Sequence, residues 1–264
     1  VTLFGVVDAA VTYTRGSGDG SAHKAQLTNS GNMFSRLGFR GTEDLGGGYS
    51  ANFWMEMGLQ NDSGTGFPSN SNNQASGNGP AGVLSFNRRS TVSLAGPFGE
   101  VRLGRDYVPA FWNTAIFDAF GYNGIGSTGN VQRHGQVRQD NMIGYYLPSN
   151  LGGFYGQLNA ASGENGTSIG DSTSFGTYVG GQFGFRAGPF DVAVAYSEKK
   201  PDFATASIAA AGNAGNCAGC KIKTFNVGGS FDFGFMKLMG YYDEDKLAGG
   251  KEKVASISGA FPFG

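Results

Sequence analysis

Alternation with a period of two is the feature that most narrows what this chain can fold into. Phe190, Val192, Val194 and Tyr196 alternate with Asp191, Ala193, Ala195 and Ser197. The same beat runs from Tyr49 to Gln60, from Phe175 to Arg186 and from Phe225 to Phe233. Successive side chains of a strand point to opposite faces, whereas a helix needs apolar residues recurring at three and four positions. None of these segments shows the helical spacing, so the chain reads as all-β. Stretches of ~10 residues that are apolar on one face and small or polar on the other suit strands set between hydrocarbon and water.

Hydropathy alone hides this. The mean hydropathy is −0.22, and no apolar run reaches the ~20 residues that a membrane helix requires. The composition is nevertheless odd for a soluble globule, with 47 glycines and 22 phenylalanines but only 8 prolines in 264 residues. Glycine normally supplies about 7% of residues, and an excess of it means either disorder or many tight turns. Evenly spread Phe and Tyr argue against disorder and leave turn-rich sheet. A net charge of −1 points to no nucleic-acid partner. Val1 lies directly inside a strand pattern, without a basic stretch leading into an apolar one, which implies that any signal peptide has already been removed.

The connections sort into two kinds. Asp44–Gly48, Gly96–Gly99, Gly188–Phe190 and Phe233–Gly234 are coded as tight turns, while segments 16–33, 61–83, 107–137, 163–173 and 199–220 are long and rich in Gly, Ser and Asn. Long and short alternate strictly along the chain, the asymmetry of an outer-membrane barrel with short periplasmic turns and longer external loops. Aromatics gather at strand ends beside the short turns, among them Tyr49, Phe98, Phe154, Phe190 and Phe233, and as a set they form an interfacial girdle. About 12 strands are readable, near 1–15, 34–42, 49–60, 84–95, 100–106, 138–147, 154–162, 174–187, 190–198, 221–233, 235–243 and 252–262.

Three segments carry a family resemblance. They are Val1-Thr2-Leu3-Phe4-Gly5-Val6-Val7-Asp8-Ala9-Ala10, the run Ser35-Arg36-Leu37-Gly38-Phe39-Arg40-Gly41-Thr42-Glu43-Asp44, and Phe98-Gly99-Glu100-Val101-Arg102-Leu103-Gly104-Arg105. In order and spacing they resemble the general porins of Gram-negative outer membranes, most of all the β-proteobacterial ones, over essentially the whole chain. The resemblance implies a transmembrane antiparallel β-barrel of roughly 16 strands assembled as a homotrimer among outer-membrane lipids. It also implies passive diffusion of small polar or anionic solutes, with no cofactor. Residues 1–264 then form one barrel domain whose C-terminal strands are absent, since the last residues read as a turn awaiting a further strand.

In that family the third external loop folds into the barrel and sets a constriction. The corresponding segment here is 107–137. It holds Phe111, Trp112, Ile116, Phe117, Phe120 and Tyr122, more apolar bulk than a solvated loop carries, and a loop of such length is usually functional or disordered. Facing the loop the family places arginines, at positions matching Arg36, Arg88 and Arg138. Strand parity independently turns Arg36 and Arg40 inward, because Leu37 and Phe39 face outward, and parity from Ile143 and Tyr145 turns Arg138 and Asp140 inward. At the next position the two arguments conflict. Parity through Phe86, Val92 and Leu94 favours Arg89, the resemblance favours Arg88, and a bulge reconciles them. Glu56, Asp8 and Asp118 are the carboxylates expected in the same lumen. Opposed charges there set up a transverse field, and the arginine excess predicts anion preference. Arg105 shares outward parity with Val101 and Leu103, which suggests a contact between subunits.

Cys217 and Cys220 form the only cysteine pair. A C-x-x-C pair serves as a redox site, half a zinc site or a small disulfide. With neither His23 nor His134 adjacent in sequence and no βαβ unit beside the pair, a disulfide in an external loop is the expectation and no metal site is expected. An enzyme is disfavoured because no strand presents a Ser together with a His. A surface adhesin or structural barrel needs neither an inward loop nor a lumenal arginine ladder. A solute-selective channel differs least in sequence, and would line its passage with a run of aromatics rather than a scattered Trp54, Tyr146 and Tyr178.

Overall fold

The computed structural model describes residues 1–16, 23–67, 82–131, 136–163, 176–200, 221–247 and 250–262. Among the described residues fifteen strands form: β1 (Thr2–Val6), β2 (Ala9–Arg15), β3 (His23–Asn29), β4 (Arg36–Gly46), β5 (Tyr49–Gln60), β6 (Thr65–Gly66), β7 (Arg89–Gly96), β8 (Gly99–Tyr107), β9 (Arg138–Tyr146), β10 (Phe154–Ala161), β11 (Tyr178–Ala187), β12 (Phe190–Lys199), β13 (Ile222–Asp232), β14 (Lys237–Leu247) and β15 (Gly250–Ala260). One antiparallel sheet runs β1-β4-β5-β7-β8-β9-β10-β11-β12-β13-β14-β15, with the short β6 beside β5. Neighbours in sequence are thus neighbours in space almost throughout, as hairpin connections dictate. β1 and β15 stand at the two ends of this path.

Which face is which follows from burial. On β12 and β13, Ala195 and Asn226 are 1% and 0% exposed, whereas Tyr196 and Phe225 are 47% and 42% exposed. Register continues the inward row as Gln182, Ala195, Asn226, Asp243 and Val254 across β11 to β15. Among the described residues, 23 polar or charged residues are buried against 10 hydrophobic ones. That inverts a soluble protein's distribution and matches a barrel wall with hydrocarbon outside and water within. At the short-turn end the aromatics touch one another. Tyr49 meets Phe98 with ring centroids 6.2 Å apart, Phe154 meets Phe185 at 4.9 Å and Phe231 meets Phe233 at 4.7 Å.

Three expectations about the wall change. Residues 1–15 are not one strand, because the chain breaks at Val7–Asp8 and β2 leaves the sheet to pair with β3 in a separate hairpin. The Asp8 carboxylate accepts the backbone N–H groups of Gly31, Asn32 and Met33 at 3.0, 2.9 and 2.7 Å, which fixes the base of that hairpin and makes β3 out of a segment expected to be loop. The strict alternation of loop lengths ends at β14–β15, which only residues 248–249 join. The wall strand expected at 84–95 begins later, at Arg89.

The β8–β9 connection turns inward. It opens with a helix, α1 (Pro109–Ile116), started by Pro109 in its first turn, where a missing N–H is harmless. Asn113 on α1 donates to the Ala193 carbonyl at 3.3 Å and to Asn226 Oδ1 at 2.8 Å, and accepts from Gln182 at 2.8 Å. Farther on, the Ala119 N–H donates to the Ser258 hydroxyl at 3.0 Å. Phe117 is fully buried beside Ala193 and Tyr241. All these wall partners belong to the inward-facing set. The loop therefore crosses the interior to the side opposite its own strands, and a sheet that β8 and β13 both hold to one loop must be curled.

Candidate functional site

The same loop faces β1, β4, β5 and β7 on its other side, and between them lies a cavity of about 700 Å³. Cross-strand register sets its wall. Arg36, Gly38 and Arg40 stand opposite Gly58, Glu56 and Trp54, so the arginines share one face with the carboxylate. Glu56 is the hub. Its Oε1 lies 2.5 Å from Arg88 Nε and 3.9 Å from Arg36 Nε, and its Oε2 accepts from the Trp54 indole at 3.1 Å.

The choice between Arg88 and Arg89 resolves as both. Arg89 opens β7 opposite Glu56, lies over the Trp54 ring at 4.6 Å and pairs with Asp106 at 3.5 Å. Arg88 precedes the regular strand, where pairing no longer enforces alternation, and it turns into the same cavity to reach Glu56 and the Tyr107 hydroxyl. Arg138 donates to that same Tyr107 oxygen at 2.8 Å and lies over the Tyr107 ring at 4.4 Å. Arg40 stacks on Phe4 and Trp54 at 5.5 and 5.1 Å. In all, Arg36, Arg40, Arg88, Arg89 and Arg138 line the cavity, with Glu56 as the only carboxylate among the described residues that line it.

Two expected acids stand elsewhere. Asp8 is committed to the backbone amides of 31–33, as above. Asp118, 4% exposed, accepts from the Phe120 and Tyr122 N–H groups at 3.0 and 3.3 Å and from the Thr128 hydroxyl at 3.2 Å. It organises the inside of the loop rather than facing the arginines. Arg105 is 8% exposed, pairs with Asp140 and donates to the Asn87 carbonyl at 2.5 Å. Gly104 at φ +122 and the register shift beside it interrupt the alternation that would have exposed Arg105. Cys217, Cys220 and His134 lie outside the described residues.

One residue that parity and resemblance leave unmarked completes the site. Tyr107, the last residue of β8, stacks on Phe111 at 5.4 Å and meets Trp112 at a tilt with ring centroids 5.7 Å apart, so it ties the arginine wall to the loop. Phe111 in turn meets Tyr122 edge-on at 4.9 Å. Burial pushes the Tyr122 hydroxyl above the ordinary phenol range, and Tyr241 and Asp243 add to the shift. Of Trp54, Tyr146 and Tyr178, only Trp54 lines this cavity, where it is joined by Phe4, Phe34, Tyr107, Phe111 and Trp112.

A curled antiparallel sheet with apolar residues outside, polar residues inside and a loop drawn across its interior defines a membrane β-barrel protein. The chain belongs to the Gram-negative porin family, whose profile matches residues 1–264, and its place is the Gram-negative outer membrane. It is 37% identical over 255 residues to outer membrane porin protein 32 of Delftia acidovorans, covering 94% of this chain and 64% of that protein. It is 26% identical over 260 residues to an outer membrane porin protein of Bordetella pertussis, covering 90% of this chain and 62% of that protein. The fold matches the anion-selective porin from Comamonas acidovorans with a TM-score of 0.77 at 35% identity, over 100% of this chain and 74% of that structure. The chain thus spans less than two thirds of the length of these two sequence relatives.

Proposed function

We propose that the complete protein is a homotrimeric, water-filled channel for small hydrophilic solutes that passes anions faster than cations. One observation carries this reading: five arginines and a single carboxylate line the cavity where the inward loop meets the wall. Arginine keeps its charge at any working pH, and charges in a narrow passage with low-dielectric walls are screened less than on an open surface. The local excess then outweighs the chain's net charge of −1. The similarity to a porin described as anion-selective supports the same direction.

Reversal potentials of the complete protein in a KCl gradient test it. Chloride should permeate faster than potassium, with the preference shrinking at high salt. Replacing Arg36 and Arg138 by serine should widen the pore and weaken the preference together. Arg88→Ser and Arg89→Ser should each weaken it. Cation preference in the unmodified channel overturns the proposal. Unheated protein should migrate on gels as a large species that collapses to monomer on boiling.

A second reading, a channel selective for organic anions, is favoured by the aromatic faces grouped beside the arginines. It requires conductance to saturate with one class of carboxylate while chloride current stays linear.

A further inference from the structure

The arginines of the cavity are not equally provided with counter-charge. Arg36 and Arg88 share Glu56, and Arg89 has Asp106. Arg40 and Arg138 face no carboxylate among the described residues. Arg40 is exposed, so water hydrates it while it lies against Phe4 and Trp54. Arg138 is only 8% exposed, and its Nε has no hydrogen-bond partner. Its polar contact is the Tyr107 hydroxyl, which a second cation, Arg88, also reaches. A buried charge ordinarily requires an opposite charge and further hydrogen bonds. The described residues give Arg138 neither a carboxylate nor a full set of acceptors.

Beside this cation lies uncovered aromatic surface. Trp112 on α1 lines the cavity at 46% exposure, and Phe34 lines it at 38%. The Tyr107 ring holds cation and aromatic together, with the Arg138 guanidinium 4.4 Å and the Trp112 ring 5.7 Å from its centroid. Such a site suits a ligand with one anionic end and one apolar body. Chloride makes no use of the rings. A neutral sugar needs acceptors for its hydroxyl groups, yet both oxygens of Glu56 are engaged, one by Arg88 and the other by the Trp54 indole. A short aliphatic acid would satisfy Arg138 and leave Trp112 uncovered.

We propose that the cavity is a binding site for small aromatic carboxylates, with the carboxylate on Arg138 and the ring on Trp112. The inference rests on the reading of the passage as one for organic anions, and it names their class. A guanidinium meets a carboxylate through two parallel hydrogen bonds, which supplies the counter-charge that Arg138 lacks. Stacking on an indole adds a preference for flat ligands over puckered ones. Trp112, carried into the lumen by the loop, is then the residue that sets specificity.

Block of the chloride current of the complete protein by benzoate, cyclohexanecarboxylate and acetate provides the test. The acids carry the same charge and differ in ring and planarity. Benzoate should half-saturate the block at a concentration about fivefold lower than cyclohexanecarboxylate, and at least about tenfold lower than acetate. Trp112→Leu should bring benzoate to the level of cyclohexanecarboxylate. Arg138→Gln should weaken every acid by about tenfold or more, and Arg138→Lys should recover part of the loss. Trp54 and Trp112 are the only tryptophans of this chain and both line the cavity, so benzoate should also quench tryptophan fluorescence of the detergent-purified protein with the same midpoint. Equal block by all the acids overturns the proposal and leaves the organic-anion reading in place. Block by none of them overturns both. An undiminished preference for benzoate in Trp112→Leu overturns the proposal as well. The comparison of the acids on the unmodified protein decides the matter even if a variant does not fold.

Discussion

A Cβ added to Gly228 on β13 would lie 2.3 Å from the ring of Phe117 in the inward loop. The loop's most buried aromatic thus occupies space that only glycine leaves open, and the contact anchors the loop to the wall opposite its own strands. Gly228→Ala should force the ring aside, at about 1–3 kcal/mol for overpacking. The loop then loosens, and single-channel conductance should rise and become noisier. Unchanged conductance together with an unchanged unfolding midpoint would show that Phe117 does not hold the loop.

Tyr107 links wall and loop by a different device, with one hydroxyl oxygen accepting from both Arg88 and Arg138 at 2.8 Å. Tyr107→Phe keeps the ring that stacks on Phe111 and removes only that oxygen. The loop should stay in place while both guanidinium groups gain freedom, so conductance should change little and the chloride preference should fall. Arg88 retains Glu56, which limits the loss to about 1–3 kcal/mol of hydrogen bonding to charged groups. Reversal potentials and conductance recorded on one channel separate the two effects. A drop in both would mean that the hydroxyl supports the loop itself.

At the other end of the first strand, Asp8 serves the backbone and not the pore. Asp8→Asn should loosen the turn at Gly31–Met33, because an amide offers one acceptor oxygen where the carboxylate offers two. Phe34, which Arg88 covers at 5.3 Å, follows that turn directly. Amide hydrogen exchange at Gly31, Asn32 and Met33 should accelerate, while ion preference stays close to that of the unmodified channel. A large change of ion preference with exchange unaltered would return Asp8 to the pore.

The wall was legible wherever one face met lipid, because alternation there is enforced by solvent. The segments expected at 49–60 and 190–198 match β5 and β12 to within one residue. Legibility failed where the constraint disappears. β3 lies in a hairpin outside the main sheet, and its sequence carries only a weak beat. The helix α1 is short and is fixed by partners as distant in sequence as Asn226. Parity placed Arg36, Arg40 and Arg89 on the cavity side, and the resemblance added Arg88, which sits just before regular pairing begins. Neither argument reveals when a carboxylate is already taken by nearby amides, and for that reason Asp8 and Asp118 were expected in a cluster they do not join. Tyr107 gave no signal at all, since its role depends on two arginines 19 and 31 residues away.

The sharpest test of the charge balance is Glu56→Gln, which removes the one carboxylate on the cavity wall without changing side-chain size. A chloride ion ~6 Å from that carboxylate is repelled by about 0.7 kcal/mol in a water-like medium, a factor of about three in local occupancy. Arg88 keeps its bond to Tyr107 and its place over Phe34, so the arginine wall should persist. Arg88 and the Trp54 indole reach different oxygens of the carboxylate, so the amide nitrogen replaces one of the two acceptors, and the lost bond costs about 1–3 kcal/mol of stability, which a large barrel tolerates. The same carboxylate attracts potassium by a like amount, so the chloride-to-potassium permeability ratio should rise by about tenfold at low salt, and by less as added ions screen the lumen. A ratio that falls instead would mean that Glu56 serves chiefly to hold Arg88 and Arg36 in the passage, and that the pair, not the excess of arginine, sets the preference.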